Sequence, residues 1–328
     1  MVHYKINFKF IAGDFSIAGM QHKIFTIGLI CALPLFMLMI FHHSAHAGEK
    51  AADLLTEDNQ FYPGETDNAD EKNFLPRGNL FRPLIADPKE LLFYLSYRPY
   101  QDAHQYLSQS TQIFAGSLGD MFGLYRYVNN SGGYSWQANI SGGIYAEFDL
   151  KTSSFYLVDT DYFIGFPFTF RKGPVSYRLT IYHQSSHVGD EYLLHSSITR
   201  IEFSYEALNF IGSYEWTKWR IYYGGEVMVH KEPSNYKPVT VQGGMEYYGT
   251  DKILWNGRLV GGLDLKCTQE NDWPLNTSFK AGFQFDEYSQ HGRSIRFLLE
   301  GYNGFSPHGQ FYNNRMRYVG LGITFEFE

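Results

Sequence analysis

The chain has 328 residues, of which 44% are hydrophobic and 18% aromatic, while only 19% are charged. A mean hydropathy of −0.30 excludes a bundle of apolar transmembrane helices. A net charge of −7 speaks against a nucleic-acid partner. With 28 Phe, 26 Tyr and 32 Gly, the composition favours strands and bends over helices. A transmembrane β-barrel fits both its low charge and its negative hydropathy, because alternate strand residues face lipid and a polar interior.

The first element in chain order is an export signal. Met20-Gln21-His22-Lys23 opens a short polar segment, an apolar run follows from Ile24 to Phe41, and Ala45-His46-Ala47 supplies a small-x-small cleavage site. This pattern predicts a signal peptide over 1–47, with Met20 as an alternative start and Gly48 as the first mature residue. A retained membrane anchor is the second reading, since the apolar run is long enough to span. Cleavage would leave Cys267 as the only cysteine, so no intrachain disulfide could form. Residues 48–88 are predicted to be a periplasmic leader or a small plug. The stretch 48–73 is acidic, polar and aperiodic. The Pro- and Arg-rich stretch after Asn73 should be an ordered non-strand segment leading into the barrel.

From 89 to 328 the sequence predicts an all-β, transmembrane, antiparallel up-and-down barrel of about twelve strands. The predicted strands are 90–98, 112–128, 134–149, 155–170, 174–186, 200–216, 219–230, 238–248, 257–267, 276–286, 294–303 and 315–327. Val175, Tyr177, Leu179 and Ile181 share one face against Ser176, Arg178 and Thr180. Leu259, Gly261, Leu263 and Leu265 similarly oppose Arg258, Asp264 and Lys266. Thr217-Lys218, flanked by Trp216 and Trp219, reads as a two-residue periplasmic turn with interfacial aromatics. The longer connections 99–111, 187–199, 231–237, 268–275 and 304–314 then fall outside the cell. Connection 286–293 is long for a periplasmic turn, and ten or fourteen strands are the alternative counts. In the last strand, Val319, Leu321, Ile323, Phe325 and Phe327 share a face. Gly322-x-x-Phe325-x-Phe327 resembles the C-terminal signal read by barrel-insertion machinery on bacterial outer-membrane proteins, with Glu328 as one extra residue. That resemblance implies outer-membrane localisation, with the insertion machinery and membrane lipids as partners.

Alternation places Asp120, Arg126, Glu147, Asp159, Asp161, Arg178, Arg220, Glu226, Asp264, Arg296 and Glu300 inside. Their mixed signs predict a lumen packed with ion pairs, and a narrow charged pore is the alternative. Asp159 and Asp161 are expected to pair with Arg178 rather than to catalyse.

One stretch could carry chemistry: Tyr182-His183-Gln184-Ser185-Ser186-His187-Val188-Gly189-Asp190-Glu191. Continuing the alternation of Leu179 and Ile181 puts His183, Ser185 and then His187 on the lipid face near the outer boundary. His183 and Ser185 sit side by side, with about 7 Å between Cα atoms. An imidazole so placed can take the hydroxyl proton during attack on an ester, and polar groups on a lipid-facing surface call for a reason. His-x-Ser on an outward barrel face resembles the dyad of outer-membrane phospholipase A and of the lipid A deacylases. The resemblance implies His183 as base and Ser185 as nucleophile acting on lipid acyl esters. The phospholipase pattern continues with Asn-Gly, where this chain has Ser186-His187. The third member is an Asn in the phospholipase and a Glu in the deacylases; Glu191 and Glu202 are the candidates here. A metal or lipid-headgroup site using His183, His187, Asp190 and Glu191 would require the strand to break at Ser186. Otherwise the motif is a hydrogen-bonding rim. The sequence identifies no cofactor.

The segment FLPRGNLFRPLIADPKELLFYLSYR and the motif YHQSSHVGDEYLL, together with the strand pattern, resemble a bacterial family of outer-membrane barrels defined only as a domain of unknown function. The resemblance implies barrel and compartment, and it carries no activity. The leading expectation is therefore a structural or surface barrel with a packed polar lumen, and the alternative is an outer-leaflet lipid acyl hydrolase. N-terminal sequencing of protein extracted from cell envelopes should begin at Gly48; a chain that keeps residues 24–41 would overturn the cleaved-signal reading.

Overall fold

A computed structural model describes residues 70–101, 111–196, 198–286 and 293–327. The signal-peptide expectation over 1–47, most of the leader and the connection 287–292 lie outside the described residues. Within them, a short β1 (Glu71–Phe74) precedes twelve barrel strands. These are β2 (Phe93–Tyr100), β3 (Thr111–Asn129), β4 (Tyr134–Asp149), β5 (Tyr156–Lys172), β6 (Val175–Val188), β7 (Phe203–Trp216) and β8 (Trp219–Glu232). They continue as β9 (Val239–Leu254), β10 (Gly257–Thr268), β11 (Leu275–Phe285), β12 (Arg293–Phe305) and β13 (Arg315–Phe327). Each is antiparallel to the next, and β13 returns to pair with β2, so the sheet closes and leaves the barrel without an open edge. The turns 173–174, 217–218 and 255–256 at one end have two residues each, and most of the longer connections gather at the other end, the seven-residue connection 286–292 being the exception. The only α-helix among the described residues is the short α1 (Asp190–His195) in the connection after β6.

The alternation expected from sequence is the physical basis of the wall. Leu179, Ile181, Phe166, Phe168, Leu299 and Leu321 all stand exposed on the outside, where hydrocarbon would cover them. Ser176, Arg178, Thr180, Gln184 and Ser186 on the opposite face of β6 are buried. Of the eleven charges expected inside, Asp120 is an exception: it is exposed on the outer face, its Oδ1 accepting the Met121 N–H at 2.7 Å. The cause is a β-bulge between Gly123 and Tyr125, which shifts the alternation by one residue. Arg126 beyond the bulge faces inward, and the same parity before the bulge faces out.

The interior is filled by the chain's own N-terminal segment. β1 pairs only with the Tyr125–Val128 end of β3, and β2 pairs with its Thr111–Ser117 end. Two short strands thus share one position in the wall, and residues 75–92 between them run through the lumen. The segment contributes both apolar filler and charges. Phe81 and Leu84 are fully buried, and the Arg178 and Arg220 guanidinium groups lie 4.8 and 4.6 Å from the Phe81 ring centre. Glu90 accepts two hydrogen bonds from Arg178, Nη2 to Oε2 at 2.9 Å. Asp87 accepts from Lys266 at 2.6 Å and from Gln242 at 2.9 Å, while Lys89 bonds Asp161. Arg171 and Arg220 donate to the backbone carbonyls of Leu80 and Arg82 at 3.1 and 2.9 Å. Gly143 makes room for this segment: a Cβ there would lie 2.7 Å from Leu91 Cδ2.

The connection 306–314 closes the loop end. Gln310 donates to the carbonyls of Ser186 and Ile201 at 2.8 and 2.9 Å, and its backbone N–H reaches Ser186 Oγ at 3.0 Å. His308 is buried between Glu147 (Nε2 to Oε1, 3.0 Å) and Asp159 (Nδ1 to Oδ2, 3.3 Å). Burial is the largest influence and opposes its charge, but the Glu147 charge and the hydrogen bonds to Asp159 and Glu147 together outweigh it and raise its pKa above the ordinary imidazole value. Between the two closures a cavity of about 190 Å³ remains, lined in part by Tyr182, Tyr205, Asn209 and Glu226.

This packing makes a stability prediction. Glu90→Ala strands the Arg178 guanidinium in the lumen and should cost about 3–5 kcal/mol, whereas adding Arg178→Met should recover much of it. Urea unfolding in micelles checks both; equal losses in the single and double variants would contradict the pairing.

Candidate functional site

The lipid-facing side of β6 carries the polar exception that the sequence marks out. Ile181, His183, Ser185 and His187 follow one another on the outer face, and Tyr182, Gln184 and Ser186 turn inward. The pleat alone produces this, since β6 runs without a bulge from Val175 to Val188. Cross-strand registration then decides what each residue meets. Across β5, His183 faces Ile164 and Ser185 faces Tyr162. Across β7, His183 faces Glu206 and Ser185 faces Ser204.

Glu206 is the residue that sequence reasoning missed. Its Oε1 lies 2.7 Å from His183 Nδ1, and its Oε2 lies 2.7 Å from His230 Nδ1. The carboxylate is therefore held at both oxygens by imidazoles on the two neighbouring strands. His230 reaches the outer face because β8 is irregular here: Glu206 pairs with His230 and Ala207 with Met228, so Val229 is the extra residue. His183 and Glu206 side chains are each 43% exposed, so the pair is open to the outside of the barrel. In a neutral ring, a carboxylate at Nδ1 favours the tautomer with the proton on that nitrogen and the lone pair on Nε2. This is the tautomer that a general base requires.

The other predicted residues are placed elsewhere. Glu191 lies in α1, exposed, where its backbone carbonyl accepts from His195 Nδ1 at 2.8 Å. Glu202 is exposed just before β7 begins, four residues from Glu206. Among the described residues neither bonds His183, whose carboxylate partner is Glu206. The strand does not break at Ser186, so His183 and His187 stand roughly 13 Å apart and share no metal. His187 instead lies 3.3 Å from Arg200 Nη2 and packs edge-on to Tyr162 at 5.8 Å between rings.

A second polar cluster lies inside. Asp159, Asp161 and His308 bring ligand-type atoms within 4.8 Å of one another, all buried. This group is already charge-compensated, because Lys89 bonds Asp161 and His308 bridges Glu147 and Asp159. Arg178, expected from sequence to pair with these aspartates, is taken by Glu90.

A closed antiparallel barrel with an apolar outer face and a polar, paired interior defines a β-barrel of the outer-membrane type. The chain belongs to the family described as protein of unknown function DUF1207, whose match spans residues 36–327. No curated protein matches it in sequence. Among solved structures it is similar to outer membrane phospholipase A from Escherichia coli, at 16% identity and a TM-score of 0.51, over 74% of this chain and 93% of that one. A Salmonella typhi outer membrane phospholipase dimer with bound calcium matches at 15% identity and a TM-score of 0.51, over 74% and 94%. At such identities the likeness concerns the fold.

Proposed function

We propose that this barrel is a lipid acyl hydrolase of the outer leaflet, with Ser185 as nucleophile, His183 as base and Glu206 as the orienting carboxylate. The observation that carries the reading is the His183 Nδ1 to Glu206 Oε1 contact at 2.7 Å on a lipid-facing surface, beside a serine on the same strand face. Such groups are costly against hydrocarbon, and their presence there points to a function. A carboxylate in the third position also matches what the deacylase resemblance implies.

In this reading Ser185 Oγ attacks the ester carbonyl carbon and its proton passes to His183 Nε2. The imidazolium so formed is stabilised by Glu206. Collapse of the adduct breaks the bond to the alkoxy oxygen, which takes the proton from Nε2. Water, deprotonated by the same nitrogen, then attacks the acyl-enzyme; the bond to Ser185 Oγ breaks, Oγ takes the proton back from Nε2, and fatty acid leaves. The substrates are acyl esters of phospholipid or lipopolysaccharide, the lipids that meet the outer face near its loop end.

The same reading places the protein in the outer membrane, with the two-residue turns in the periplasm and the 306–314 closure outside. Residues 1–47 act as its cleaved signal, 48–69 as a periplasmic leader and 75–92 as its plug. The last strand, with Phe325 and Phe327, serves the insertion machinery. The packed interior favours a stable surface barrel as the second reading, and it speaks against an open pore because charges that would line one are engaged with residues 82–90 or with one another.

Purified protein in phospholipid or lipopolysaccharide micelles should release fatty acid. Ser185→Ala and His183→Ala should abolish release with the barrel retained, and Glu206→Ala should slow it by on the order of 10²–10⁴-fold. Wild-type protein that releases nothing, with or without calcium, would return the protein to the surface-barrel reading.

A further inference from the structure

The outer wall beside His183 is not flat. A groove of about 410 Å³ is cut into it, lined by Leu118, Gly142, Ile144, Tyr162, Ile164 and His183. This volume lies within the roughly 300–1,000 Å³ range of small-molecule sites. We infer that this groove seats one acyl chain of the lipid substrate and that Gly142 is the residue that opens it, an inference that rests on the acyl-hydrolase reading.

The register ties the groove to the reacting residues. Gly142 on β4 is paired with Ile164 on β5, and Ile164 is paired with His183 on β6. Two strand spacings, roughly 10 Å, separate the floor of the groove from the imidazole. Tyr162, on the groove wall, is the cross-strand partner of Ser185. A chain lying over Gly142 would therefore bring its ester end beside Ser185. Leu118, Ile144 and Ile164 are exposed apolar side chains that offer a chain dispersion contact, while the polar atoms at the groove belong to Tyr162 and His183, with Asp120 across the β3–β4 pair from Gly142.

Gly142 itself lacks a structural reason to be glycine. Its φ does not fall in the left-handed region, and an added Cβ would meet only the Phe163 carbonyl, at an ordinary 3.6 Å. Gly143 next to it differs, because a Cβ there would collide with Leu91 of the plug. The fold thus demands glycine at one of these positions and merely allows it at the other. At position 142 a large side chain would project outward into the groove and fill much of it. The absent side chain is what makes the site concave.

The test uses the full-length barrel in vesicles containing phosphatidylcholine with a diazirine at the end of one acyl chain. Photolysis should label Leu118, Ile144 and Ile164 several-fold more than outward residues of β10–β12, and Gly142→Phe should remove the excess. Hydrolysis gives the second readout. Gly142→Phe should lower kcat/KM for long-chain esters by roughly tenfold or more and leave short-chain esters unchanged. Should Gly142→Phe fail to insert, Gly142→Cys alkylated after folding with a bulky maleimide makes the same comparison within one folded sample, with wild-type protein as the reagent control. Labelling spread evenly around the barrel, or a chain-length profile that Gly142→Phe does not move, overturns the groove while leaving the hydrolase standing. Focused labelling without any hydrolysis keeps the groove and sinks the hydrolase.

Discussion

Hydrocarbon offers no hydrogen-bond partner to a peptide group, so a wall that crosses it must satisfy its backbone within itself. The pairing of β13 with β2 meets that demand by closing the ring, and most of the molecule follows from it. Once the ring is closed, every strand residue faces either hydrocarbon or the lumen. The outward set must be apolar, which the exposed Leu, Ile and Phe side chains satisfy. The inward set is free to be polar, but a narrow lumen takes its charges out of water, and each then needs a partner.

Some partners stand on the wall itself, as Glu300 does for Arg98, Glu246 for Arg220 and Glu326 for Arg296, and one segment supplies others. Residues 82–90 bring Arg82 to Glu215, Asp87 to Lys266, Lys89 to Asp161 and Glu90 to Arg178. The segment is therefore part of the interior's charge balance, and the wall strands make room for it by giving up side chains, as at Gly143. The His183–Glu206–His230 row stands apart from this scheme. It is polar where the ring closure asks for apolar residues, and its members are bonded to one another across three strands instead of to the loops. In the same stretch Ser186 does meet loop backbone, accepting the Gln310 N–H at 3.0 Å, whereas His183 is tied to Glu206.

How much of this could be read in the sequence depended on whether a signal was local. Period-2 alternation is local, and eleven of the twelve wall strands were legible from it to within three residues at each end, β9 running six residues further than expected. The outward position of His183 and Ser185 was legible in the same way. Asp120 was misplaced because a single extra residue at the Gly123–Tyr125 bulge reverses parity without any mark in composition. Glu206 was hidden for a different reason. Phe203, Tyr205 and Ala207 on β7 are apolar yet face inward, where the aromatics pack against Tyr182 and Tyr312, while Leu208 and Phe210 face outward. Apolar residues on both faces erase the alternation at the point where register was needed. The findable signal was Leu208 and Phe210: counting back from them by twos reaches Glu206 and Ser204. β1 and the partners of residues 82–90 had no local mark, because their pairing is set by the whole ring.

Distance-resolved accessibility along one strand tests the central claim most directly. Single nitroxides at 179 through 187 on β6, in lipid vesicles, would report oxygen and water-soluble nickel collisions residue by residue. The account predicts a two-residue period, with high oxygen contact at 179, 181, 183 and 185 and low contact with either reagent at 180, 182, 184 and 186. A profile without that period, or one in which nickel reaches the outward positions as freely as oxygen does, would contradict it.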